Sequence, residues 1–101
     1  MSSTPKNIGI VDTGSFNQLT VTDSATVNAP TLKNLTQSVF LDVVDTDVFV
    51  SFNGTDPSAT NGHTLYAGKD YFFYAGMIKT AKFKTASGTS KVNITQLNGY
   101  A

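Results

Sequence analysis

Asp56, Ser58 and His63 fall within a few residues of one another. Their types are those of a hydrolytic triad, in which an imidazole takes a hydroxyl proton and a carboxylate orients the ring. Nearness along one polar loop does not create that geometry, and no G-x-S-x-G elbow is present. The Asp, Asn and Ser of such a loop also cap its own turns. Asp42, Asp45 and Asp47 make a second cluster, D-x-x-D-x-D, rich in the oxygen ligands calcium prefers. It lacks the EF-hand spacing and terminal Glu, so its expected role is negative surface charge for docking, and no metal site is assigned. Lys79, Lys82, Lys84 and Lys91 lie near Tyr74 and Phe83, a pairing that single-stranded nucleic acid can exploit. With zero net charge and no Arg, these lysines fit better the guarding of an exposed strand edge, and no nucleic-acid partner is expected. The aromatic set Tyr66, Tyr71, Phe72, Phe73, Tyr74 and Phe83 suits a core or subunit interface. A sugar-binding surface built from Tyr66, Tyr74, Asn53, Asn61 and His63 is the alternative use.

Composition narrows the chemistry further. The 101 residues include no Cys and one His, every cation is Lys and every acid is Asp. Thiolate nucleophiles, disulfides and Cys-ligated zinc are therefore excluded. The bidentate guanidinium clamp on phosphate is missing as well. Neither an enzyme nor a cofactor is expected. The charges that remain are unevenly spread. Residues 1–60 carry all the Asp except Asp70, and residues 61–101 carry all the Lys except Lys6 and Lys33. That division reads as scattered solvated charge or as complementary patches between subunits. No apolar run reaches the ~20 residues of a membrane span. No basic start with an apolar stretch behind it opens the chain, so neither a membrane partner nor an export signal is expected.

The elements that must position these residues are strands. Residues 1–15 read as a flexible arm with an apolar patch at Ile8, Ile10 and Val11 that could add to a partner's sheet. Residues 16–34 alternate, with Leu19, Val21, Ala25, Val27 and Ala29 against Thr20, Thr22, Ser24, Thr26 and Asn28, and Asp23 as the exception. Asp23-Ser24 is a possible turn splitting this segment into two strands. A slim strand pair cannot close its own core, so threefold association is the expected source of the missing layer. Residues 35–101 read as a β domain. Its strands are Ser38–Val44, Val48–Phe52, Thr64–Ala67, Tyr71–Tyr74, Met77–Phe83 and Lys91–Leu97, separated by Gly-, Asn- and Asp-bearing turns. No stretch keeps a helical period. The fold class is all-β: a small β-sandwich or jelly-roll-like barrel with an extended N-terminal arm and strand segment.

Two stretches resemble known families. Phe16 to Pro30, with its "LTVTxxAxV" pattern, is similar to repeats of trimeric tail fibres and head fibres of tailed bacteriophages. Val48 to Gly68 combines a "V-x-V-S-F-N-G" strand with "N-G-x-x-L-x-x-G". Ser87 to Ile94 adds "S-G-T-x-x-V-x-I". Together they resemble a small β module of tailed-phage virion proteins, among them capsid decoration (cement) proteins. His63 stands where that module usually has an apolar residue. The resemblance implies a non-enzymatic homotrimer on the capsid exterior of a virion, made in the host cytoplasm and bridging major capsid protein subunits. Ile8, Ile10, Val11, Phe16, Leu19, Val21 and Val27 are the expected capsid or intersubunit contacts. The alternative is a tail or fibre tip module binding a host-surface glycan.

Overall fold

The computed structural model describes residues 11–99, with side chains from Ser15 onward. Eight strands and one helical turn follow one another: β1 (Val11–Val21), β2 (Val27–Asn28), β3 (Ser38–Val44), β4 (Val48–Ser51), β5 (His63–Leu65), β6 (Asp70–Tyr74), α1 (Ala75–Ile78), β7 (Lys82–Thr85) and β8 (Ser90–Asn98). They form two four-stranded antiparallel sheets. The first has the order β1-β8-β3-β6 and the second β2-β7-β4-β5. The chain is an all-β sandwich.

Alternation decides what lies between the sheets. Val39, Leu41 and Val43 of β3 and Val92 and Ile94 of β8 meet Val48 and Val50 of β4, Leu65 of β5 and Phe83 of β7, all essentially without solvent contact. Each such side chain contributes about 1.5–3 kcal/mol by leaving water. Tyr71 and Phe73 pack against this core, while their neighbours Phe72 and Tyr74 take the opposite face of β6, as the period of two requires.

The structure corrects the expected segmentation. Residues 11–15 are strand rather than arm, and β1 pairs with β8 of its own chain, with a register shift between Asp12 and Ser15. Residues 16–34 are not a layer apart from residues 35–101: Val21 is fully buried in the common core, and Leu19, Ala29 and Leu32 pack against it. The missing layer is the second sheet of the same chain, so the thin-segment argument for threefold association falls away. Asp23 breaks the alternation because it has left the strand. Its Oδ2 accepts the Gly88 amide at 3.1 Å, while the Thr85 amide bonds the Thr22 carbonyl at 3.1 Å, tying the end of β1 to β7 and its turn.

A second correction concerns Met77–Phe83, expected as strand throughout; only Lys82 and Phe83 are strand, at the start of β7. The chain must cross there from the first sheet to the second, and the single turn α1 makes the crossing while burying Ile78. Four residues are too few for a helical period to register in sequence. Between β3 and β4, Asp45 takes a φ of 91°, a left-handed turn conformation that Asp tolerates better than most residues.

One buried polar group holds the loop between β2 and β3. Gln96 faces inward from β8. Its Oε1 accepts the Lys33 amide at 2.8 Å and the Thr36 hydroxyl at 2.7 Å, and its Nε2 donates to Asn17 Oδ1 at 3.1 Å. An interior amide satisfied this fully fixes the loop against the sheet.

Candidate functional site

The residues with catalytic potential are kept apart. Ser58 Oγ accepts the Thr60 amide at 3.2 Å, Asp56 approaches Lys82 Nζ at 4.0 Å, and His63 forms no hydrogen bond with either among the described residues. The Asp trio is likewise divided among separate tasks. Asp42 accepts from Asn93 Nδ2 at 3.2 Å, Asp47 accepts the Ala67 amide at 2.9 Å, and Asp45 forms the turn. No three carboxylate or imidazole groups converge among the described residues. The lysines are scattered too: Lys82 and Lys84 lie on β7, Lys79 ends α1, and Lys91 of β8 donates to Thr20 Oγ1 at 3.1 Å. Strand order also mixes the acidic and basic halves of the sequence, because β1 and β3 of the first half flank β8 of the second. The two halves are not two patches.

Two surfaces concentrate the remaining unusual residues. The first is the outward face of the first sheet. Register places Phe16, Thr95, Phe40 and Phe72 in one row across all four strands. Phe16 is 60% exposed and Phe40 40% exposed. The neighbouring row holds Leu97, Ser38 and Tyr74, the last 52% exposed. Leu35 (69% exposed) adjoins this end, its carbonyl bonded by Asn98 Nδ2 at 2.7 Å. On the other side of the aromatic row runs a polar one, Gln18, Asn93, Asp42 and Asp70. Gln18 Nε2 donates to Asn93 Oδ1 at 2.8 Å, and Asn93 in turn donates to Asp42. The face is thus divided into an apolar stripe and a hydrogen-bonded polar stripe.

The second surface is the open side of the sandwich between β5 and β6. Val50 pairs with His63, and Leu41 with Tyr71, so the inward-facing rows of both sheets run on to this side. Phe52 lies 5.9 Å from His63 and 5.2 Å from Phe73 between ring centroids, and Tyr71 stacks on Phe73 at 6.2 Å. A depression of about 410 Å³ lined by Ser51, Phe52, Asn53, Asn61, Gly62 and His63 adjoins one of about 310 Å³ that shares Phe52 and His63 and adds Tyr71, Phe73 and Met77.

Of the expected contact residues, Phe16 alone among those with described side chains is strongly exposed. Leu19 and Val21 serve the chain's own core, which corrects their assignment to contacts between subunits, and Val27 is half-buried beside Phe83. Ile8 and Ile10 lie outside the described residues, as does the Val11 side chain. Of the recognition set, Asn53, Asn61 and His63 come together. Tyr74 borders a separate depression with Phe72, Phe73 and Met77, and Tyr66 lines none of these hollows, although its amide donates to the Tyr71 hydroxyl at 2.8 Å. Sequence reasoning missed Phe40 and Leu97 on the outer face and Phe52 in the cleft, because each joins its site only through cross-strand register. No family model, curated protein or solved structure matches the chain.

Proposed function

We propose that this chain is a non-enzymatic structural protein of a virion that decorates and stabilises a bacteriophage capsid, as a homotrimer bridging major capsid protein subunits. The observation that carries the reading is the row Phe16, Thr95, Phe40 and Phe72, flanked by Leu97 and Tyr74. Exposed aromatics such as Phe16 and Phe40, aligned on one face, mark protein contact faces, because leaving them in water forfeits their burial energy. The adjacent polar row supplies groups that fix orientation on a partner. The resemblance of Phe16–Pro30 and Val48–Gly68 to phage fibre and decoration modules supplies the shell as that partner. Work is done by adhesion: every contact that binds the closed shell and not the opened one stabilises the closed form by mass action.

The test uses purified shells and two variants. Phe16→Ser with Phe40→Ser alters the face without touching the buried core. A chain lacking residues 1–10 removes Ile8 and Ile10, which precede β1 in the sequence. The expected result is a sedimenting trimer that saturates shells, with occupancy lost in the double variant and lowered by the truncation. A stable monomer at micromolar concentration, or undiminished occupancy of the double variant, overturns the reading.

A further inference from the structure

The cleft between β5 and β6 has a chemistry that the shell-binding face does not use. No Asp or Lys lines either of its depressions. A cationic ligand would therefore lose its hydration there without gaining a counter-charge, and an anionic one would meet only the His63 ring. The cleft is polar at one end and aromatic at the other. At the polar end, Asn53 Oδ1 is occupied by the Thr55 amide at 3.2 Å and the Thr55 hydroxyl at 2.7 Å. Asn61 Nδ2 is occupied by Thr55 Oγ1 and the Asp56 carbonyl, both at 2.8 Å. Each amide is thus anchored by one of its two atoms. Among the described residues no partner meets the other atom, the Asn53 Nδ2 donor or the Asn61 Oδ1 acceptor. Both side chains are exposed and line the same depression, and a donor and an acceptor offered there suit hydroxyl groups, which do both.

The loop that carries them is cross-linked by bonds of its own. Ser51 Oγ donates to the Thr55 carbonyl, and Ser58 and Asn61 exchange backbone bonds at 3.0 and 3.3 Å. Gly62, at φ 107°, seats against the Val50 carbonyl so closely that no Cβ fits. Little ordering entropy is left to lose on binding. At the other end, Phe52, Tyr71 and Phe73 offer ring surface to an apolar ligand face. A purely apolar ligand would leave the two amides unmatched. An extended peptide would need a longer edge than the three residues of β5. What remains is a neutral molecule with hydroxyls along its rim and C–H groups on its faces.

We propose that this cleft binds a neutral saccharide, with Asn53 and Asn61 bonding its hydroxyls and Phe52 and Phe73 against its C–H face. The site stands whether or not the protein decorates a shell, since it occupies a different side of the sandwich. The test is a nuclear magnetic resonance titration of the full chain with neutral glucose-, galactose- and N-acetylglucosamine-based disaccharides at millimolar concentrations. Saturable shifts confined to the Asn53 and Asn61 side-chain amides and the His63 ring are expected for at least one sugar. Asn53→Asp keeps the acceptor that Thr55 needs and removes the free donor, and it should weaken binding about tenfold. Phe16→Ser, on the other face, should leave binding unchanged. Silence across the panel, shifts mapping elsewhere, or an Asn53→Asp chain that binds like the parent would each overturn the proposal.

Discussion

Gln96 shows how one side chain decides a region. It sits on a strand whose alternation marks it as inward-facing, and a lone amide between two sheets would be costly without partners. Its partners come from residues 60 and more positions away, Lys33 and Thr36 among them, so nothing local in the sequence announces the arrangement. Replacing Gln96 with Ala strands those groups and opens a cavity, and should lower stability by about 2–4 kcal/mol in urea melts. Thr36→Val, which removes one bond of the set, should lower it by only about 1 kcal/mol. Equal losses in the two variants would mean that Gln96 does not organise the loop. His63 was legible as a residue out of place in its motif, but its meeting with Phe52 was not, because that depends on the register of β4 against β5.

Among the elements, β3 was readable to the residue, since its alternation and its flanking polar turn both survive in one dimension. Strands β4, β6 and β8 were readable to within a residue or two at their ends for the same reason. Two were misjudged. The first strand reads as arm and separate segment because its described inward side chains, Asn17, Leu19 and Val21, are modest in size and its partner β8 lies at the far end of the chain. The helical turn α1 reads as strand because Met77 and Ile78 continue the apolar run of β6 past the single break at Gly76. The β4–β5 hairpin hinges on Gly62, whose backbone conformation and contact with the Val50 carbonyl leave no room for a side chain. Gly62→Ala should cost about 2–4 kcal/mol and detach β5 from β4. Amide exchange would then accelerate at Thr64 and Leu65 before it does in β8, and uniform protection would contradict that role.

At the scale of the molecule, most pairings join distant parts of the sequence. Strand β8 must settle between β1 and β3 before the first sheet is complete. Closing such long loops before any contact rewards the closure makes folding slow. Stopped-flow refolding should therefore proceed in milliseconds to seconds, as in other all-β domains of this size. A microsecond phase carrying the full signal would mean that local structure dominates instead. The sandwich class followed from composition and turn spacing. The division of its surface into an aromatic face and a cleft did not, because faces are made by register and register is a property of pairs.

Among the described residues a single ion pair, Lys82 with Asp56, links side chains of opposite charge; it is a long one at 4.0 Å, with Lys82 half-buried and Asp56 in solvent. Such a pair adds almost nothing to cohesion and is screened by ordinary electrolyte. Amides, hydroxyls and hydrocarbon do the binding inside this protein. Brine and near-pure water should therefore find the same folded object, and a coat assembled from it would owe its internal firmness to pleats and oil instead of to ions.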